Sequence, residues 1–114
     1  MRRYEDEYCK LIDKVRSLYV MQDEGSVFDF LYRHRLLPPL LVDAEPHLRH
    51  FFKDSVLSLR TTSDEDGWEM LYALVHWVGE PDGAVHALNA FDDEWWLANS
   101  YSAGLSLTFT YRLA

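Results

Sequence analysis

From Val56 to Val78 the chain reads Val-Leu-Ser-Leu-Arg-Thr-Thr-Ser-Asp-Glu-Asp-Gly-Trp-Glu-Met-Leu-Tyr-Ala-Leu-Val-His-Trp-Val, and no other stretch narrows the possible folds as far. Two runs rich in β-branched, aromatic and aliphatic residues flank an acidic turn that ends in Gly67, which is the signature of a β-hairpin. In the first run Leu57, Leu59 and Thr61 alternate with Ser58, Arg60 and Thr62, so one face is expected to be buried and the other wetter. The second run is apolar on both faces, with Met70, Tyr72, Leu74 and Val78 on one and Leu71, Ala73, Val75 and Trp77 on the other. A strand of that kind belongs in the middle of a sheet or under cover on both sides.

Helical periodicity surrounds the hairpin. Tyr4, Tyr8, Leu11, Ile12, Val15, Leu18 and Tyr19 recur at spacings of three and four, which predicts an amphipathic helix over residues 3–21 with Asp6, Lys10, Asp13, Lys14 and Ser17 on its wet side. Ser26 and Asp29 resemble a weak capping box for a second helix through about Arg35, its inner face being Val27, Phe28, Leu31 and Tyr32. Leu36-Leu37-Pro38-Pro39 predicts an extended corner, because a residue before proline is pushed out of helical space. Residues 40–52 regain helical phase, with a kink or a fresh start at Pro46. Beyond the hairpin, Asp82 to Leu97 predicts a helix with Ala84, Leu88, Phe91 and Trp95 on one side and Asp82, His86, Asn89 and Asp93 on the other. The alternation of Leu105, Leu107, Phe109, Tyr111 and Leu113 with Ser106, Thr108, Thr110 and Arg112 predicts a last strand. The expected class is α+β: N-terminal helices followed by β-β-α-β, forming a small mixed three-stranded sheet with helices packed on it. If the last two strands share a sheet, the helix between them makes them parallel. The last strand is also a candidate for pairing across a dimer.

A chain of 114 residues is expected to form one domain around one core. No apolar run approaches the roughly 20 residues that span a bilayer, and the N-terminus turns acidic at once, unlike a signal peptide. With one cysteine, Cys9, no disulfide can close within the chain, so a cytoplasmic protein is expected, and a pI of about 4.9 is ordinary for one of prokaryotic type. Charge is unevenly placed. Residues 1–60 hold 10 acidic and 10 basic side chains, whereas residues 61–114 hold 9 acidic side chains against the single Arg112. Such a surface repels phosphate backbones, so direct nucleic-acid binding is not expected. A basic protein partner suits it better, or the basic cluster within residues 33–53 of a second copy, although acidic surface also serves plain solubility.

Candidate chemistry is sparse. There is no serine between small residues, no cysteine beside a suitable histidine and no glycine-rich phosphate loop, so no catalytic residue, cofactor or metal is assigned. His47 and His50 have a spacing that two zinc ligands can use, but no third ligand lies near, and a solvated basic turn with Arg49 and Lys53 is the plainer reading. Together with Arg33, His34 and Arg35 they could form a basic patch. The stripe of Asp82, His86, Asn89 and Asp93 is the wet face a helix needs. Asp92-Asp93-Glu94-Trp95-Trp96 is the most unusual run. Asp92, Asp93 and Trp96 are the candidate partner-binding residues, since a tryptophan beside carboxylates can anchor a partner; otherwise both indoles cover the sheet edge. A small regulator, inhibitor or antitoxin-like partner acting without catalysis, and able to form a homodimer, is the leading expectation. The alternative is a ligand-binding or enzymatic pocket between sheet and helices, lined by Tyr72, His76, Trp77 and Tyr111.

Overall fold

The computed structural model describes residues 2–104 and 106–113, so Leu105 of the last alternating run lies outside the described residues, as do the side chains of Tyr4 and Asp6. Helix α1 (Arg2–Leu18) buries Tyr8, Ile12 and Val15, with Tyr19 just beyond its end. The Tyr8 hydroxyl donates to the Leu31 carbonyl, and the Tyr19 hydroxyl donates to the Leu41 carbonyl at 2.7 Å. Both phenols thereby tie α1 to the next two helices. Burial pushes their ionisation upward, Tyr8 to about 12 despite the opposing pull of Arg35.

The chain leaves α1 earlier than its periodicity predicts. Val20–Met21 form a short strand, β1, parallel to the first hairpin strand, with Val20 opposite Ser58 and Met21 opposite Leu59. The Gln22 amide continues the ladder by donating to the Leu59 carbonyl at 2.9 Å. Helix α2 (Glu24–Arg33) starts two residues before the predicted capping box, because Ser26 donates to the Asp23 carboxylate at 2.8 Å instead of serving as the cap. It buries Val27, Phe30 and Leu31, while Tyr32 is exposed.

Helix α3 (Leu37–Phe52) replaces the predicted extended corner. Pro38 and Pro39 fall in its first turn, where backbone N–H groups have no helical acceptor to lose, so proline is tolerated there. The helix also runs on through Pro46. At its end Lys53 takes φ +49°, and the Arg49 guanidinium donates to the carbonyls of Lys53 and Ser55 while its Nε holds Glu45 at 3.0 Å.

The hairpin consists of β2 (Val56–Ser63) and β3 (Glu69–Trp77), paired antiparallel from Val56 opposite His76 to Ser63 opposite Glu69. Asp64 builds the turn: its Oδ1 accepts the amides of Asp66 at 3.0 Å and Trp68 at 2.9 Å, and Gly67 supplies φ +81°. Helix α4 (Pro81–Phe91) then returns the chain to β4 (Leu107–Leu113), which pairs parallel to β3.

The molecule is mixed α+β, but its sheet has four strands in the order β1-β2-β3-β4 and not three. Leu57, Leu59, Leu71, Ala73, Val75, Leu107 and Phe109 are buried on one sheet face and form a single core with Ile12, Val15, Phe30, Leu41, Leu48 and Phe91 from the helices. Arg60, Thr62, Met70, Tyr72, Leu74, Thr108 and Thr110 lie on the other face and keep contact with solvent. Among the described residues no helix is long and apolar enough to cross a membrane.

Candidate functional site

Pro81 and Asp82 open α4 in positions that suit the first turn, sterically for the proline and electrostatically for the carboxylate. Its start is fixed from β3. The Trp77 indole donates to the Glu80 carbonyl at 2.9 Å, and its ring lies so close to Gly83 that a Cβ there would come within 2.7 Å. From there Ala84 and Phe91 reach the core while Asp82, His86, Asn89 and Asp93 remain exposed, as the 3.6-residue period dictates.

The periodicity changes at Asp92. Residues Asp92–Trp96 form a π-helical turn, followed by a short α-helical turn (Leu97–Asn99) and a 3-10 turn (Ser100–Ser102). A π turn admits one extra residue, which rotates everything after it relative to an α-helix. Both indoles come to the sheet side. The Trp96 ring meets Phe109 of β4 edge-on at 4.7 Å, and Trp95 meets it at 6.4 Å while stacking on His47 of α3 at 5.2 Å. The two indoles lie 6.1 Å apart and nearly parallel.

Of the candidate partner-binding residues, Asp93 is exposed and Asp92 and Trp96 are half-buried, with Glu94 also exposed beside them. Burial, and secondarily the charge of Asp93, raise the Asp92 pKa from its ordinary value. Leu97 and Tyr101 continue the exposed side at 65% and 84% accessibility. The remaining carboxylates of the second half lie elsewhere: Asp64, Glu65, Asp66 and Glu69 around the hairpin turn, Glu80 and Asp82 at the opposite end of β3.

The second set of residues does not converge between sheet and helices. His76 and Trp77 border a cleft of about 530 Å³ at the end of the hairpin strands, whose other walls are Phe51 to Val56 and Val78. Tyr72 and Tyr111 are not in its lining; Tyr72 stands opposite Arg60, and Tyr111 is on β4 opposite Val75. The Ser58 hydroxyl lies 2.7 Å from His76 Nε2 and accepts from Gln22 at 3.2 Å. Ser58 is buried, so this row orients the imidazole and does not offer a nucleophile to solvent. Sequence reasoning missed Gln22 because only the β1 pairing brings it to Ser58, and missed Ser58 because its approach to His76 depends on the register of β2 against β3. Arg49 as the support of the cleft's 53–55 wall was missed for the same kind of reason, since its role depends on the backbone turn at Lys53.

The basic cluster is dispersed by its partners. Arg33 bridges Asp29 at 3.1 Å and Glu69 at 3.0 Å, Arg35 lies over the Tyr8 ring, and Arg49 is turned to Glu45 and the 53–55 backbone. His47 stacks on Trp95 and His50 meets Phe51 edge-on. Among the described residues no group of three or more His, Cys, Asp or Glu side chains converges as metal ligands would. The chain matches no protein-family model, no curated protein and no solved structure.

Proposed function

We propose that this is a cytoplasmic, non-catalytic protein that acts by protein–protein contact, as a regulator, inhibitor or antitoxin-like partner, and that Asp92, Asp93 and Trp96 meet a basic partner. The supporting observation is the π turn. It seats Trp96 against Phe109 and Trp95 while Asp93 and Glu94 remain exposed at its side. An aromatic ring already fixed by its neighbours loses little rotamer freedom on binding, and an adjacent carboxylate supplies orientation and charge. Affinity capture of native partners by wild type, Trp96→Ala and Asp93→Lys tests this face. Asp93→Lys touches no packed group, so loss of capture there reports recognition and not folding; unchanged capture by both variants discards the face.

A second reading rests on the cleft bordered by His76 and Trp77. With Phe51, Phe52, Val56 and Val78 around it, the site has the size and apolar lining of a small-molecule pocket. Ligand-observed NMR with an aromatic fragment library, followed by Trp77→Ala, tests it. Binding that survives this substitution would place the ligand elsewhere.

A further inference from the structure

We propose that the free edge of β4 is a self-association site, where a second copy of the chain pairs antiparallel so that two four-stranded sheets become one. The sheet's two edges differ in kind. β1 is two residues long and offers almost no template, whereas β4 runs from Leu107 to Leu113 with no proline, glycine or lysine and only Arg112 charged. Long edge strands without such protective features invite pairing with another strand. Among the described residues β4 has β3 on one side and no strand on the other.

The ladder fixes which backbone groups face outward. The Leu71 amide donates to the Ser106 carbonyl at 2.8 Å, so Ser106 points its carbonyl at β3. Successive residues of a strand alternate, which turns Thr108, Thr110 and Arg112 toward β3 and leaves the N–H and C=O groups of Leu107, Phe109, Tyr111 and Leu113 facing the open side. A second copy centred on Thr110 uses all of them. Leu107 then exchanges hydrogen bonds with Leu113 of the other copy, and Phe109 with Tyr111, for about eight bonds in all.

Side chains agree with that register. Leucine meets leucine, phenylalanine meets tyrosine, and Arg112 faces the uncharged Thr108, so no like charges oppose. The odd-numbered residues of both copies lie on the helix-covered face, as a two-fold axis perpendicular to the sheet requires. The self-complementarity of Leu-Thr-Phe-Thr-Tyr-Arg-Leu is what favours a second copy over an unrelated strand.

Light scattering and sedimentation of the full chain across a dilution series should give twice 13.4 kDa at the concentrated end. Thr108→Lys sets a lysine against Arg112 of the other copy and should shift the equilibrium at least tenfold toward monomer, whereas Thr108→Glu should retain the dimer. In a Cys9→Ser background, Thr110→Cys lies on the axis and should form a disulfide-linked dimer with oxidised glutathione. Without any substitution, exchange of the Phe109 and Tyr111 amides should slow as concentration rises. A monomer at all concentrations overturns the proposal. So does a dimer that ignores Thr108→Lys and does not cross-link through residue 110, as pairing elsewhere would give. Asp93→Lys leaves the β4 backbone untouched, so the partner face and the dimer edge can fail separately.

Discussion

Asp92 carries a charge that its surroundings oppose. Its pKa is raised by burial and by Asp93, so the folded state binds the proton more tightly than the unfolded chain does. Stability from this group is therefore greatest at low pH and is lost as pH rises from the unfolded carboxylate value through the folded one. At pH 7 the ionised carboxylate destabilises the fold. Asp92→Asn is expected to raise the melting temperature at pH 7, and the gain should shrink as pH falls below the usual aspartate range; a gain independent of pH would contradict this. Gly83 makes a second residue-scale point. Alanine is better than glycine inside a helix by about 1 kcal/mol, yet a Cβ here lies 2.7 Å from an indole held by Glu80 and Phe52. Overpacking costs about 1–3 kcal/mol. Gly83→Ala should therefore lower stability by about 1 kcal/mol net in urea unfolding, and a stabilised variant would show that the Trp77 ring moves freely. Nothing in the sequence marks Gly83 as packed, because the contact joins a strand end to a helix start.

At the scale of elements, the features legible in sequence were those with a sustained period. Two apolar runs about the Ser63–Gly67 turn marked the hairpin, the apolarity of both faces of the second run marked the inner position of β3, and the stripe of Ala84, Leu88 and Phe91 marked the inner face of α4. Elements without a period were not legible. Two residues, Val20 and Met21, cannot alternate, so β1 is fixed only by its pairing with Ser58 and Leu59. The π turn was hidden because an inserted residue leaves no periodic mark, and an α-helical projection that separates Trp95 and Trp96 by about 100° does not foresee that both rings reach Phe109. Pro38 and Pro39 read as a corner because proline stops a helix in its interior, yet they stand in its first turn. The hairpin turn carries an expectation of its own. Asp64 accepts two amides, so Asp64→Ala should cost about 1–2 kcal/mol and fray the β2–β3 end first, seen as faster amide exchange at Asp66 and Trp68. Equal exchange in the variant would mean that Gly67 alone sets the turn.

For the whole molecule, the net charge of -8 is the long-range feature that a partner senses before contact. Its carriers in the second half occupy three places, the hairpin turn, the start of α4 beside Trp77, and the π turn that holds Trp95 and Trp96. Association with a basic partner should therefore slow and weaken as salt rises, since screening sets in over about 8 Å at physiological ionic strength. Binding insensitive to salt would point to an apolar contact such as the cleft at Trp77. The most direct test of the proposed working surface is hydrogen–deuterium exchange of the chain with and without its captured partner. The expected result is new protection over residues 92–97 with residues 51–56 and 76–78 unchanged; protection confined to those two cleft segments would contradict the account.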